Sequence, residues 1–346
     1  MKKISWRKIV IKIGLTLFAI TLSGPLILSA CMGGRPLDPL YAGPVSLPQE
    51  LQKIFAYEGL TTDYCKQAGE SALANGVRIK HVTFLSEFST PENQTHVEML
   101  HYDQAGETKV PAILILPILN GDNTLEKFFA KKFANQGFAV FITNGKERST
   151  DLREYGHFDE TIIKLTIEQR KALDYICAQS DIDTDNIFLF DISMGAIKAT
   201  LLAAVDQRIN ASVIILGGGN LPELITESKE DGVEFRVKEL MEAKKLTTLE
   251  ELQHHLRQNI QIDPVFYAPY IDARKVFMVM ASRDQIVPYH CQQELWEALG
   301  KPQALILPTG HINSILYIFQ MRGIGPFNGI AVKFFRKNFV SESDGP

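Results

Sequence analysis

The sequence predicts an α/β fold with a mostly parallel, doubly wound sheet, and three observations lead to this class. Two segments, VPAILIL at 110–116 and FAVFIT at 138–143, are almost continuously apolar, as expected for strands buried on both faces. Segments with a helical spacing of apolar residues separate such strands, which is typical of right-handed βαβ crossovers. A chain of 346 residues with 45% hydrophobic residues can bury a large core, which excludes wholesale disorder.

The predicted sheet begins with an antiparallel edge. Arg78–Phe88 and Gln94–Tyr102 are predicted to pair because the polar turn Ser89-Thr90-Pro91-Glu92-Asn93 separates them. The parallel part starts at Val110–Leu116. A helix is predicted to follow, since its apolar residues fall on one face and Gly137 can end it; those residues are Leu125, Phe128, Phe129 and Phe133.

Strands and helices then alternate along the chain. The predicted order is strand Phe138–Thr143, helix Ile162–Ala178, strand Ile187–Phe190, helix Met194–Val205 and strand Ala211–Leu216. Towards the C-terminus come strand Val276–Ala281, a helix carrying Leu295, Trp296 and Leu299, strand Ala304–Leu307, and a helical region from about Ile312. In sheets of this kind, functional sites lie at the carboxyl ends of the strands.

The alternation stops between Asn220 and Ile262. This stretch is highly charged and rich in helix-favouring residues. Residues 220–262 are therefore predicted to form an inserted helical cap over the sheet, and a mobile cap could control access to a site. The alternative is a solvated helical excursion without a role.

The N-terminus has the features of a targeting segment. Its basic residues all lie within the first 12 positions, and residues 13–34 carry no charge. The segment ends in Leu28-Ser29-Ala30-Cys31, which resembles the lipobox of bacterial lipoproteins. We expect residues 1–30 to be a signal peptide, Cys31 to be lipidated, and 31–50 to be a Pro- and Gly-rich tether to a domain over 51–346. The resemblance implies an exported lipoprotein anchored in a membrane of a bacterial cell envelope; the alternative is an uncleaved membrane anchor.

Charge and cysteine content exclude other classes. The net charge of −4 does not suit a strongly basic nucleic-acid binder. Outside the N-terminal segment the cysteines are Cys65, Cys177 and Cys291, which allow one disulfide at most. Because no CxxC or Cys/His ligand spacing is present, no metal site is expected.

Ser193 is the first candidate for chemistry. It stands between a predicted strand and a predicted helix, in Asp191-Ile192-Ser193-Met194-Gly195. A sharp turn there would expose the serine hydroxyl, and the backbone N–H of Met194 would face an oxyanion formed on attack. The alternative is an ordinary serine that caps the following helix.

At these residues the sequence resembles the α/β-hydrolase family, in particular its dienelactone-hydrolase-like and esterase-like members, from about Ile79 to the C-terminus. The family pattern is G-x-S-x-G, and Asp191 stands here in place of the first glycine. That replacement is expected to crowd the turn and to bring a carboxylate near the serine.

Two further segments match the resemblance. Ser282-Arg283-Asp284-Gln285-Ile286-Val287-Pro288 looks like the family's acid loop, and Pro308-Thr309-Gly310-His311 looks like its histidine loop. Each follows a predicted buried strand, and the order Ser, Asp, His is the order of the family. Taken singly, either residue could merely cap or start a helix. Together, Ser193, Asp284 and His311 form the predicted catalytic triad.

The resemblance implies an enzyme that cleaves a small-molecule carboxylic ester through an acyl-enzyme intermediate, without a metal or an organic cofactor. It places the second oxyanion donor in the loop after Val110–Leu116, at the backbone N–H of Leu119. Two alternatives stay open: a serine peptidase or amidase of the same fold, and a non-catalytic binding lipoprotein on this scaffold.

Overall fold

A computed structural model describes residues 33–59, 65–73, 76–104, 108–118, 123–144, 158–320 and 326–340. These residues form one ten-stranded sheet. In chain order, β1 to β10 are Gly33–Arg35, Lys66–Ala72, Arg78–Leu85, His96–Asp103, Val110–Ile115, Ala139–Asn144, Ile182–Ile192, Ile209–Ile215, Val276–Ala281 and Gln303–Leu307.

The strands lie in the order β1-β10-β9-β8-β7-β5-β6-β4-β3-β2. The six strands from β10 to β6 are parallel, whereas β2, β3 and β4 are antiparallel; β3 and β4 are the predicted antiparallel pair. The chain reverses its direction of travel across the sheet at β5, which lies between β6 and β7. Ligand sites in such sheets lie outside the carboxyl ends of strands at this switch point.

Helices cover both faces of the sheet, so the predicted doubly wound α/β architecture is confirmed. In chain order, α1 to α11 are Gln49–Ile54, Thr124–Ala134, Phe158–Cys177, Met194–Val205, Leu221–Glu227, Asp231–Lys244, Leu249–Asn259, Pro264–Tyr267, Tyr289–Ala298, His311–Gln320 and Pro326–Lys337. The α2, α10 and α11 helices pack on one face, and the α3, α4 and α9 helices pack on the other.

The alternation of side chains along β5 explains its continuous apolar run. Ile113 and Ile115 enter the core under α2 and α11, while Ala112 and Leu114 enter the core on the opposite face. A strand buried on both faces needs an apolar residue at every position. Each fully buried side chain of this kind contributes about 1.5–3 kcal/mol relative to an exposed one.

Two strands, β2 and β7, differ from the sequence prediction. The β2 strand was not predicted, because it is polar and every one of its residues is exposed, which leaves no apolar alternation. The β7 strand begins at Ile182, five residues before the predicted start, since its first part is the polar segment Asp183-Thr184-Asp185-Asn186. These strands are held by backbone pairing with β3 and β5.

The sequence analysis expected residues 31–50 to be a tether. The described part of this segment, residues 33–50, contacts the domain. Gly33–Arg35 pairs antiparallel with β10 at the edge of the sheet. The hydroxyl of Tyr41 accepts from the N–H of Ala273 at 2.9 Å and donates to the carbonyl of Ile271 at 3.2 Å. The segment lies on the domain because the β10 edge offers unpaired backbone groups, with which Gly33–Arg35 pairs.

The predicted helical cap is present as α5, α6 and α7. Its helices share an apolar core that includes Leu240, Leu252 and Leu256 and packs on Ile197 of α4 and Val287. A Thr248–Glu251 capping box starts α7. Two hydrogen bonds also join the cap to the predicted acid loop: Ser228 Oγ donates to the carbonyl of Ile286, and the N–H of Lys229 donates to the carbonyl of Gln285, both at 2.7 Å. The mobility of the cap stays a prediction.

The targeting segment and Cys31 lie outside the described residues. Within the described part of the chain, no helix is both long and apolar enough to cross a membrane. Cys65, Cys177 and Cys291 are free thiols, so none of them uses the one disulfide that the sequence allowed.

Candidate active site

Ser193 lies in a tight turn between β7 and α4. Its φ of 56° and ψ of −123° fall in a region that residues other than glycine rarely adopt, at a cost of about 1–3 kcal/mol. The N–H of Ser193 donates to the carbonyl of Ile215 at 2.8 Å, which fixes the turn to β8. The serine side chain makes no capping hydrogen bond to α4, so the helix-cap alternative is wrong.

Gly195 permits this turn. A Cβ atom at this position would lie 2.8 Å from the carbonyl oxygen of Leu116, closer than real Cβ contacts. The first turn of α4 therefore approaches the end of β5 in a way that only glycine allows. This close approach brings the segment after β5 next to Ser193.

The structure brings together the three side chains that the sequence singled out. His311 Nε2 lies 3.0 Å from Ser193 Oγ, and His311 Nδ1 lies 2.7 Å from Asp284 Oδ2. Ser193 is half-buried, whereas His311 is 6% exposed and Asp284 is 5% exposed. With the proton on Nδ1 directed to the carboxylate, Nε2 is the acceptor for the serine proton.

Asp284 is held by four hydrogen bonds. Oδ1 accepts from the N–H groups of Ile286 and Val287, and Oδ2 accepts from Gln292 Nε2 at 2.9 Å and from His311. The acid and histidine loops are also joined, since the N–H of Arg283 donates to the carbonyl of Thr309 at 3.1 Å. The carboxylate therefore has one fixed orientation toward the imidazole.

Sequence reasoning missed Gln292, a fully buried residue on α9. Its side chain donates to Asp284 and to the carbonyl of Val287, and it accepts from the N–H of Ala281. A glutamine inside a helix carries no motif, so only its burial in three dimensions reveals this role.

We expect Gln292→Met to lower kcat/KM of an ester substrate by about 10-fold, because Asp284 loses one of its orienting donors. Gln292→Glu should lower it further, since a second carboxylate would face Asp284. Steady-state kinetics of the two variants, with thermal unfolding to show that both are folded, checks this order. Equal activity of wild type and both variants would show that Gln292 only fills space.

The oxyanion site is partly described. The N–H of Met194 is the first of α4, at a helix end where backbone donors have no partner within the helix. Leu119, the predicted second donor, lies outside the described residues. The three preceding residues cannot take its place. The N–H of Leu116 donates to Asp191, Pro117 has no N–H, and the N–H of Ile118 donates to Glu126.

Asp191 lies beside the turn, since a Cβ atom at Gly195 would be 3.5 Å from its Oδ1. Its side chain is fully buried, and Oδ1 accepts from the N–H of Leu116 at 2.6 Å. Burial raises the pKa of this carboxyl well above its ordinary value. The hydrogen bonds of His311 go to Ser193 and Asp284, so the triad geometry is intact beside Asp191.

Two solved structures superpose on nearly the whole of this chain. One is an acetyl xylan esterase from Paenibacillus sp. R4, with a TM-score of 0.59, 12% identity, and coverage of 85% of this chain and 100% of that one. Acetyl xylan esterase 1 from Thermoanaerobacterium sp. JW/SL YS485 gives a TM-score of 0.59 at 13% identity, covering 88% and 99%. The chain has the α/β-hydrolase fold.

An acylaminoacyl peptidase from Pyrococcus horikoshii shares this α/β-hydrolase fold, with a TM-score of 0.51 and 15% identity over 78% of this chain and 43% of that one. No protein-family model and no curated protein matches the sequence. At these identities the likeness shows the fold, so the chemistry of the site rests on its own residues.

A group of possible metal ligands lies where the cap meets α9, and it consists of Glu223, His290 and Glu294. Arg257 already pairs with Glu223 at 2.5 Å, and the Asn220 amide donates to Glu294 at 2.8 Å. Both carboxylates thus have partners within the protein, and we assign no ion to this group.

Proposed function

We propose that the protein is a serine hydrolase that cleaves a carboxylic ester through an acyl-enzyme intermediate. The observation that carries the proposal is the hydrogen-bonded chain Asp284–His311–Ser193, which ends on a strained turn at the carboxyl edge of the sheet. A serine hydroxyl becomes a nucleophile when a neighbouring base can take its proton, and His311 Nε2 lies 3.0 Å from Oγ of the half-buried Ser193.

The proposed reaction begins when Ser193 Oγ attacks the ester carbonyl and His311 Nε2 takes the serine proton. Asp284 stabilises the imidazolium that forms and keeps its ring oriented. The negative oxygen of the tetrahedral intermediate faces the N–H of Met194 and, as predicted, that of Leu119. His311 then protonates the leaving alcohol, and a water molecule activated by the same imidazole hydrolyses the acyl-enzyme.

The names of the structural neighbours agree with this proposal, since two of them are acetyl xylan esterases. The peptidase neighbour corresponds to the alternative of an amidase or peptidase on the same fold. The second alternative is a binding protein that keeps the scaffold without turnover. These three functions differ in what they do to a simple ester.

The test is hydrolysis of p-nitrophenyl esters of increasing acyl length and of the matching p-nitroanilides by the purified protein. We expect ester turnover to exceed anilide turnover, because an anilide has the poorer leaving group. Turnover of the anilides at a similar or higher rate would favour the amidase. A folded protein that leaves all of these substrates intact would favour the binding protein.

We also propose that Cys31 carries a lipid that anchors the protein in a membrane of a bacterial cell envelope. The support is the basic N-terminal segment followed by Leu28-Ser29-Ala30-Cys31. Only Met32 separates Cys31 from Gly33 of β1, and two Cα steps of about 3.8 Å span about 8 Å at most. The domain would therefore lie close to the membrane surface.

We expect Cys31→Ala to move the protein out of the lipid-labelled membrane fraction, because several acyl chains are needed for firm anchoring. The measurement is metabolic labelling with a palmitate analogue, followed by fractionation and intact-mass analysis. Cys65→Ala is the matched control and should keep the label. A native chain whose mass still includes Met1 would contradict the proposal.

A further inference from the structure

Three ionisable side chains lie buried beside the Ser193 turn, and each binds one of three consecutive residues after β5. Asp191 Oδ1 accepts from the N–H of Leu116 at 2.6 Å. Lys198 Nζ donates to the carbonyl of Pro117 at 2.6 Å, and Glu126 Oε1 accepts from the N–H of Ile118 at 2.9 Å.

The three side chains come from three different elements: Asp191 from β7, Lys198 from α4 and Glu126 from α2. All three are buried, with 0%, 8% and 3% of their surface exposed. Burial lowers the pKa of Lys198 to about 8, although the nearby carboxylates of Asp191, Glu126 and Glu168 act in the opposite direction. Apolar residues of the same size would avoid this cost, so a local role is needed to explain the three buried ionisable groups.

The backbone that they bind offers that reason. Leu116, Pro117 and Ile118 leave the sheet at the switch point, and Pro117 has no N–H with which to continue a strand. Leu116 and Pro117 are buried and Ile118 is half-buried, and Gly195 closely approaches the carbonyl of Leu116, so the backbone polar groups shielded from water there need partners. The next residue is Leu119, the predicted second oxyanion donor.

We propose that Asp191, Lys198 and Glu126 form a buried clamp that fixes the backbone of residues 116–118, the segment that leads to Leu119, the predicted second oxyanion donor. The inference rests on the proposed function and explains why an aspartate replaces the glycine of the family pattern. The three are positioning residues, since their hydrogen bonds go to the backbone of 116–118 and those of His311 go to Ser193 and Asp284.

The first test measures the clamp without any need for catalysis. Amide hydrogen exchange at Leu116 and Ile118 is compared in wild type, Asp191→Ala, Glu126→Ala and Lys198→Met. We expect exchange at Leu116 in Asp191→Ala, and at Ile118 in Glu126→Ala, to become at least about 10-fold faster. Asp191→Asn and Glu126→Gln keep an acceptor oxygen and should retain the protection of wild type. The control is Asp103→Ala, which removes a buried carboxylate that pairs with Arg78 and Lys80 on β3 and should change neither amide.

The second test measures the position of the oxyanion loop. A trifluoromethyl ketone, which Ser193 converts to a tetrahedral adduct, is compared with the matching methyl ketone, which binds in the ground state. Loss of alignment of one oxyanion donor should lower kcat and trifluoromethyl ketone affinity by about 10- to 100-fold, with methyl ketone affinity and KM unchanged. Asp191→Asn and Glu126→Gln should restore both values to within about 3-fold of wild type.

The outcomes separate this inference from the proposed function. If wild type turns over esters and the alanine variants lose stability but keep kcat, the clamp is structural only and the inference is overturned. The same holds if exchange at Leu116 and Ile118 is unchanged in every variant. Wild type could be inactive on every ester and amide while amide exchange still responds to the substitutions as expected. In that case the clamp exists, but the proposed function and the role of the clamp in catalysis are both contradicted.

Discussion

Replacing Ser193 with alanine is expected to abolish ester turnover, with a loss in kcat of about 10⁶-fold. The reason is that Ser193 Oγ supplies the atom that forms the acyl-enzyme, and its position 3.0 Å from His311 Nε2 lets the proton leave as the bond forms. The variant should be folded, because alanine removes only an oxygen that makes no capping hydrogen bond to α4. The measurement is the initial rate on the best p-nitrophenyl ester, with circular dichroism as the check on folding.

The matched control is Ser282→Ala, an exposed serine in the acid loop on the same side of the molecule. It should keep kcat/KM within about 2-fold of wild type, as is usual for an exposed side chain. If Ser193→Ala retained more than a few per cent of wild-type turnover while remaining folded, Ser193 would not be the nucleophile.

Replacing His311 with glutamine is expected to cost nearly as much as losing Ser193, because the serine proton then has no acceptor. Asp284→Asn should cost about 10⁴-fold, since an amide cannot stabilise the imidazolium and favours the wrong tautomer of the ring. The short contact of 2.7 Å between Asp284 Oδ2 and His311 Nδ1, shielded from water, makes this effect strong.

The three residues should act as one unit. The double variant Ser193→Ala/His311→Gln is therefore expected to be no slower than Ser193→Ala alone, whereas independent sites would multiply their losses. The measurement is kcat of the single and double variants under the same conditions. A multiplicative loss would show that His311 supports catalysis by some route other than activation of Ser193.

The parallel core of this fold could be predicted because its signal is local. Strands buried on both faces, such as Val110–Ile115 and Val276–Ala281, are apolar at nearly every position, and helices must connect parallel neighbours. The predicted triad geometry followed from the same logic. Ser193, Asp284 and His311 each come after a parallel strand, and the carboxyl ends of parallel strands meet at one edge of the sheet.

Other features could not be predicted because they depend on partners distant in sequence. Asp191 stands out as a departure from the family pattern, but its hydrogen bond to Leu116, 75 residues away, appears only once β5 and β7 are neighbours. Gly33–Arg35 has no strand signal of its own and joins the sheet by pairing with β10. The Pro- and Gly-rich composition of the N-terminal segment therefore did not predict this strand, since backbone pairing requires no particular side chain.

The most direct test of the account is the site at which a fluorophosphonate modifies the wild-type protein. The reagent phosphonylates a serine that a neighbouring base has activated, so one equivalent should attach and peptide mapping should place it on Ser193. Labelling should be lost in Ser193→Ala, strongly slowed in His311→Gln and retained in Ser282→Ala. A folded wild-type protein that takes up no reagent, or that carries it on any serine other than Ser193, would contradict the proposed mechanism.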